Sequence, residues 1–429
     1  MPESQYIAVM FPYPSGAGLH VGHHYNYSIV DSLCRWKRHR GIEVFQPFGY
    51  DAFGLPAENY ARQIGGDPRD ITMANIENFR RQMRGMNTQY EERLVTCDPS
   101  YVKWTQWIFT KLMERGLAYK AWRDVNYCGS CETVLANEQV VEGKCERCSS
   151  TVETKNLNQW FFRITDYRER LLANLDWIDY PEGTKKQQRE RLENLQDWCV
   201  SRQRSWGCPI PVEGETDTLD TFVDSSFYFL RYCTDSETEF LPAEDYRQVD
   251  LYVGGPEHAV GHLIFSRFIH MVLFDMGVVP HEEPFKRVIH QGMVTRDGAK
   301  MGKSKGNAVD PDAYDPDELR LYLMFMGPYQ EGGDWNDQSI KGVSKFLKRM
   351  RAWLMPETFD GKLTQTRPPL PIDELETAID NEVERLKFNR VVSTLMTFYN
   401  THKGVSVSDD EKNRLVTILR VLAPGFSLT

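Results

Sequence analysis

The 429-residue sequence contains no apolar run approaching the ~18 residues that a membrane-spanning helix needs; its longest, such as Phe268 to Leu273, are soon broken by polar side chains. No part of it is expected to span a bilayer. Repeats and low-complexity tracts are also missing. The opening Met1-Pro2-Glu3-Ser4-Gln5 has no basic stretch followed by an apolar one, so no secretory leader is expected and the cytoplasm is the expected location. There is no excess of positive charge: the net charge is −10, which speaks against indiscriminate nucleic-acid binding but leaves room for a local basic groove. Cysteine is sparse and odd in number, nine in all, with four in two tight pairs, a pattern that fits metal binding in a reducing compartment better than a disulfide framework. What is present is 41% hydrophobic, 12% aromatic and 26% charged residues, the mixture of a globular chain able to bury a large interior. At roughly 100–200 residues per domain, the length calls for more than one.

Tyr6 to Phe11 is a continuous apolar segment that reads as a buried parallel strand. A turn-rich loop, Pro12 to Gly18, follows it, then a helix from His20 to about Arg40 and a second strand from Glu43 to Pro47 ending at Gly49-Tyr50-Asp51. Strand, helix, strand is the unit of an open α/β sheet, whose ligands sit at the carboxyl ends of the strands. Val102 to Gly116 reads as a helix, and short strands around a cysteine cluster run to about Thr154. A charged stretch, Lys185 to Gln196, leads to Val200-Ser201-Arg202-Gln203-Arg204. Val249 to Val253 opens a second half-sheet, followed by Gly254-Gly255-Pro256-Glu257-His258 and a long helical run to about Met276. Amphipathic segments such as Ile340 to Leu354 and Leu375 to Phe388 give the last part the pattern of a helix bundle.

Three constellations carry chemistry. His20-Val21-Gly22-His23 opens a helix, where backbone N–H groups and the positive end of the dipole suit a polyphosphate, two imidazoles can stabilise charge on an α-phosphate, and Gly22 permits close approach; taken alone, two polar histidines on a surface helix account for it equally well. Lys300-Met301-Gly302-Lys303-Ser304-Lys305 suits a mobile clamp on a triphosphate and its departing pyrophosphate, or a solvated turn. Cys128-Gly129-Ser130-Cys131 and Cys145-Glu146-Arg147-Cys148, thirteen residues apart, have the spacing of a closed four-thiolate zinc site. Cys34, Cys97, Cys199, Cys208 and Cys233 are scattered and read as packing. His258 and His262, at i and i+4, are expected to share a helix face; a zinc pair is the rival reading, but no H-E-x-x-H glutamate lies between them.

The histidine and lysine motifs, in this order and at opposite ends of a split α/β domain, resemble the HIGH and KMSKS signatures of class I aminoacyl-tRNA synthetases. Phe11-Pro12-Tyr13-Pro14-Ser15-Gly16, Gly49 to Glu58, Leu135 to Val140, Val200 to Arg204, Thr221 to Ser226 and Tyr252 to His258 are similar to blocks of the leucyl-tRNA synthetases, over nearly the whole chain. The resemblance implies a Rossmann-type α/β catalytic domain with a zinc-binding insertion and a C-terminal helical bundle. It implies ATP and Mg²⁺ as reactants, a structural Zn²⁺, leucine or a similar aliphatic amino acid as substrate, an aminoacyl-adenylate intermediate and tRNA as acceptor. By position, it implies His20, His23, Lys300 and Lys303 as catalytic residues, and Gly22, Gly254, Gly255, Glu257, His258, Met293 and Val294 at ATP. Phe11, Tyr13, Asp51, Ser226, Phe229, Tyr252, His258 and His262 would contact the amino acid, with Asp51 on its ammonium, although a helix-cap role for Asp51 stays open. A monomer is expected. The parts are expected at residues 1–120 and 197–339 for the two catalytic halves, 121–196 for the insertion with its zinc module at about 124–155, and 340–429 for a shortened anticodon-side region.

The sequence departs from that family in four places, one of them Phe229, which lies where the family usually shows tyrosine. Only Lys185 to Gln196 lies where most leucyl enzymes insert a hydrolytic editing domain, so no second active site is expected. Gly302 replaces the first serine of the lysine signature, while its lysines are kept. Leu415 to Pro424 resembles the middle of the family's anticodon-side domain, yet the sequence stops at Thr429, which implies weakened tRNA engagement. Two other readings therefore stay open: an adenylate-forming paralogue serving a carrier protein or other acceptor, and a non-catalytic amino-acid sensor. Intact histidines and lysines weigh against the sensor. Lys341, Lys345 and Lys348 fall at i, i+4 and i+7 on one helix, suited to phosphates or simply to solvent.

Overall fold

In the computed structural model the described residues are 4–14, 18–145, 148–301, 306–355 and 368–428. At the centre is a parallel four-stranded sheet in the order Val288–His290, Leu251–Gly254, Ser4–Val9, Glu43–Phe45. Ser4–Val9 pairs with strands far apart in sequence, Ile7 opposite Leu251 and Tyr6 opposite Phe45. Tyr6, Ile7, Ala8 and Val9 are all buried, because helices cover both faces of the sheet and an apolar run needs no polar alternation there. A further parallel pair joins Pro47–Tyr50 to Glu91–Val95. The strand expected from Glu43 to Pro47 is thus two short ones, Glu43–Phe45 and Pro47–Tyr50, with different partners.

Helix Val21–His39 crosses from the first strand to the second. The loops leaving Val9, Tyr50, Gly254 and His290 all emerge at carboxyl ends of parallel strands, so a crevice at the point where the strand order reverses is dictated by topology. A long antiparallel ribbon, Ala118–Cys128 against Glu153–Phe162, projects from this core and carries Thr133–Leu135 and Trp198–Cys199 on its edges. Between Phe162 and Trp198 the chain holds only the 3₁₀ turn Ile164–Tyr167 and the helices Arg168–Asn174 and Glu182–Glu193. The charged stretch from Lys185 is therefore helical as far as Glu193. It is tied to the catalytic half by Gln188, which donates to the Ala259 carbonyl (2.9 Å) and accepts from Arg267 (2.9 Å).

Met293–Arg296 and Ala299–Lys300 form a hairpin. Its turn is Asp297-Gly298, both at positive φ (54° and 73°), the backbone that an Asp-Gly pair tolerates and most residues do not. Beyond it lie the helices Pro316–Phe325, Ser339–Leu354, Ile372–Glu384, Phe388–His402 and Asp409–Leu422. Apolar faces such as Ile340, Val343, Phe346, Leu347 and Met350 are buried against the main core. The helix read as Leu375 to Phe388 starts earlier and ends at Glu384, with Leu386 at φ 55° breaking it before Phe388 opens the next. No described helix is long and apolar enough to cross a membrane.

Candidate active site

A cleft of about 390 Å³ opens at the carboxyl end of the central strands. Phe11, Tyr13, Gly22, His23, Gly254, Gly255, Glu257 and His258 line it, together with Asn26, Tyr27, Phe222 and Gln291. One wall is the start of helix Val21–His39. There the His20 ring caps the helix: its Nδ1 accepts the Gly22 N–H at 3.0 Å, while the His23 Nδ1 accepts the His20 N–H at 3.1 Å. The two rings lie 4.0 Å apart. Since a backbone N–H donates to Nδ1 of each ring, the proton of each neutral imidazole resides on Nε2. Val21 N–H donates to Val309 O, and His23 N–H to His20 O. These first-turn amides are engaged within the protein, so the His23 imidazole, and not the open backbone donors expected at a helix start, is what this helix start turns to the cleft; His20 instead lines a separate cavity of about 330 Å³ with Leu19, Gln82 and Val309. Gly22 also has an internal reason: a Cβ there would sit 2.8 Å from the His20 ring.

The opposite wall is Gly254 to His258. A Cβ on Gly254 would lie 2.0 Å from Met10 Sδ, so only glycine lets this turn pack on the end of the first strand. His290 holds it from below, with Nδ1 2.9 Å from the Gly254 carbonyl and Nε2 2.7 Å from Thr184 Oγ1. His258 does not share a helix with His262, contrary to the i, i+4 expectation. Pro256–His258 is a 3₁₀ turn, the backbone breaks at Gly261, and the helix begins at His262, leaving the rings 6.0 Å apart and perpendicular. His258 faces the cleft while His262 is buried behind it.

Behind the cleft is a buried polar chain. Tyr228 and Tyr252 hydroxyls are 2.5 Å apart, and Tyr252 is 2.6 Å from His262 Nε2. Burial pushes His262 well below its ordinary range, so it stays neutral. The Tyr228 ring stacks on Phe11 at 3.8 Å, which brings Tyr228 against the cleft wall. Asp51 is buried beside the same wall, its N–H donating to the Pro12 carbonyl at 3.0 Å. Ser226 and Phe229 are not among the lining residues: Ser226 Oγ donates to the Phe222 carbonyl, and Phe229 packs away from the cleft on Phe285 at 4.8 Å. Phe222, four residues before Ser226, is the one this segment brings to the cleft lining, with Tyr228 behind it, stacked on Phe11. Of the two residues before the lysine loop, Val294 is buried and Met293 is 45% exposed. Lys300 is exposed at the end of the hairpin, whose base is docked by Met301, its Sδ accepting the Val309 N–H at 3.4 Å. Lys303 lies outside the described residues.

Cys128, Cys131, Cys145 and Cys148 converge with their sulfur atoms within 4.8 Å of one another. Tetrahedral zinc with Zn–S near 2.3 Å requires S···S of about 3.8 Å, so the cluster fits with little adjustment. Burial raises the Cys148 thiol, but hydrogen bonds from Ser150, Cys128 and Cys131 outweigh it and bring it down to about 6, toward the thiolate a metal needs. A second cleft, of about 430 Å³, lies between the ribbon and the segment Arg191 to Cys199 and contains none of the expected catalytic residues.

A split parallel sheet with paired histidines at one strand end, a glycine turn opposite and a lysine hairpin beyond has the arrangement of a class I aminoacyl-tRNA synthetase. The profile described as tRNA synthetases class I (I, L, M and V) matches residues 3–213, and that of tRNA synthetases class I (M) matches 138–345. The chain is similar to the leucine–tRNA ligase of Clostridium botulinum strain Hall, 30% identical, with 100% of this chain and 85% of that protein covered. The Caldanaerobacter subterraneus subsp. tengcongensis leucine–tRNA ligase is 31% identical, with 98% and 85% covered. Among solved structures, the Agrobacterium radiobacter K84 agnB2 LeuRS–tRNA–LeuAMS complex superposes with a TM-score of 0.88 at 26% identity, covering 99% of this chain and 84% of that one. Mycobacterium tuberculosis methionyl-tRNA synthetase shares the fold, with a TM-score of 0.77 at 20% identity over 99% of this chain and 92% of that one. This chain belongs to the leucine–tRNA ligase family. The botulinum alignment runs over 694 positions against 429 residues here, so at least 265 (694 less 429) have no counterpart in this chain.

Proposed function

We propose that this protein activates leucine with ATP and transfers it to the 3′ end of tRNA without a hydrolytic proofreading site. The observation that carries the reading is the cleft itself, where His23, the Gly254–His258 turn and Tyr13 share one cavity beside Asp51. Asp51 would hold the substrate ammonium by a charge-assisted hydrogen bond, and Phe11, Tyr13 and His258 would enclose the aliphatic side chain, with Tyr252 and His262 behind them. Gly254, Gly255 and Glu257 would carry the ribose and adenine, with Met293 and Val294 at the far edge. ATP enters with Mg²⁺. The amino-acid carboxylate oxygen attacks the α-phosphorus, the bond to the β-phosphate oxygen breaks, and pyrophosphate leaves. His20 and His23, each donating from Nε2, would stabilise the negative charge building on the α-phosphate, while Lys300 and Lys303 would neutralise the departing pyrophosphate. The four cysteines would hold zinc as a closed site that constrains the fold and takes no part in the reaction.

Two observations support the missing proofreading site: a 3₁₀ turn and two helices fill Phe162 to Trp198, and the alignment leaves at least 265 positions unmatched (694 less 429). The test is amino-acid-dependent ATP–pyrophosphate exchange with leucine, isoleucine, valine, methionine and norvaline, followed by charging of total tRNA. Exchange greatest with leucine and leucyl-tRNA as product are expected. No exchange with any of the five would reject the reading, and exchange without charging would move the adenylate to another acceptor.

A further inference from the structure

The segment Arg202 to Trp206 stands between the cysteine cluster and the loop that bears Asp51, and it is bonded to both. Arg204 is the junction. One end of its guanidinium donates to the Cys131 carbonyl; the other pairs with Glu58 at 3.3 Å, and both side chains are buried, at 5% and 2% exposure. Ser205 Oγ donates to the same carboxylate at 3.3 Å. Trp206 Nε1 donates to the Ala52 carbonyl at 2.8 Å, and its ring lies 4.9 Å from Phe53. On the other side, Gln203 accepts the Val134 N–H at 3.3 Å.

Each end of this link is set by local geometry. The Cys131 N–H donates to Cys128 Sγ at 3.4 Å inside the knuckle, and Glu132 turns the chain at φ 53° into the strand Thr133–Leu135. Where the Cys131 carbonyl points therefore depends on the sulfurs being drawn together. At the far end, Glu58 is in the first turn of helix Leu55–Ile64, which starts at Gly54 (φ 111°), three residues after Asp51. A guanidinium is a rigid planar fork that can hold a carbonyl and a carboxylate at once, whereas an ammonium is a point charge that cannot span both.

We propose that Arg204 is a positioning residue for the amino-acid site: through Glu58, and beside the Trp206 bond to Ala52, it holds the Asp51 loop in register, and it makes that register depend on metal in the four-cysteine cluster. The inference rests on the reading of Asp51 as the ammonium site. The Gly254–His258 turn, read as the ATP wall, is not part of the link.

The experiment has two independent arms. In the unmodified chain, zinc is stripped with a chelator, retention of secondary structure is checked by circular dichroism, and leucine affinity is measured by calorimetry without ATP. It is expected to weaken about ten-fold, the scale on which loss of a partner behind a metal or charged site acts, and to recover when zinc is restored. In zinc-loaded Arg204→Lys, metal content is expected to stay at one per chain while the leucine KM in exchange rises about ten-fold, with the ATP KM and kcat nearly unchanged; stripping zinc from this variant then adds little. Unaltered leucine affinity in the fully metallated variant would overturn the proposal, as would a full additional loss on stripping it. Failure of the zinc-loaded unmodified chain to bind leucine at all would instead remove the functional reading on which the inference stands.

Discussion

Arg320 and Asp31 form an ion pair with both side chains completely buried, Nη2 to Oδ2 at 2.7 Å. Asp31 belongs to the helix that begins with the paired histidines; Arg320 belongs to the first helix after the lysine hairpin. The guanidinium also donates to the carbonyls of Ser28, Met86 and Leu422, joining the first half of the sheet domain to the last helix. With so many acceptors satisfied, the desolvation cost is met in the folded state, but removing one partner strands a charge. Asp31→Asn and Arg320→Met are each expected to lower stability by about 3–5 kcal/mol, measured by urea unfolding, and the double replacement by less than their sum. Additive losses would show that the two do not act as a pair.

His23→Ala removes an imidazole that would face charge present only in the transition state. It is expected to reduce the exchange rate about 100-fold while leucine affinity changes little. Lys303→Ala should do likewise. Equal losses in rate and affinity would contradict the roles assigned to both.

Acid should unfold the protein earlier than its carboxylates alone would require. Burial holds His24 and His270 at about 3 and pushes His262 far below its ordinary range. The unfolded chain takes up these protons below about pH 6.5, the folded chain only near pH 3 at His24 and His270, so stability falls as the pH drops through that window, by about 2 kcal/mol for each of those two at pH 5, and His262 acts in the same direction. Asp224 acts in the opposite sense: burial keeps its carboxyl protonated when folded, so it costs stability as pH rises above about 3.9. Burial lowers His290 as well, and it raises Asp98, Asp217 and Asp317, though none so far as Asp224, so the imidazoles dominate between pH 7 and pH 5. The urea midpoint is expected to fall between pH 7 and pH 5, and His24→Leu, which replaces a ring whose nitrogens are buried without hydrogen-bond partners, should reduce that slope by about one proton. An unchanged slope would place the acid response elsewhere.

A pocket that distinguishes amino acids by methylene groups alone discriminates about 10–200-fold. Norvaline or isoleucine attached to tRNA is accordingly expected to persist with the lifetime of spontaneous deacylation in the presence of the protein. Faster loss that depends on this chain would reveal a hydrolytic site.

Much of this was legible because the chemistry is local. Glycine turns and thiol spacing act over a few residues, so the helix start at His20 to His23 and the two cysteine knuckles could be read directly, whereas the hairpin at Asp297-Gly298 reads only as the approach to a flexible loop. The parallel sheet was legible too, since a strand covered on both faces must be apolar throughout, as Tyr6 to Val9 are. Periodicity failed where helical and 3₁₀ turns meet. His258 and His262 have helical spacing, and nothing in their side chains announces the break at Gly261.

By itself, the sequence determined the class of fold, the family, the cysteine cluster and which short motifs bear the histidines and lysines, because those depend on backbone conformation and on contacts between near neighbours. Tertiary packing alone decided that Phe222, and not Ser226 or Phe229, lines the cleft, that the Val21 amide is taken by the Val309 carbonyl, and that Arg204 joins the Cys131 carbonyl to Glu58 beside the loop of Asp51. Each depends on which of several equally apolar or equally polar faces finds its partner across more than 50 residues of chain. That choice is made by close packing and by satisfying buried donors, neither of which local pattern encodes.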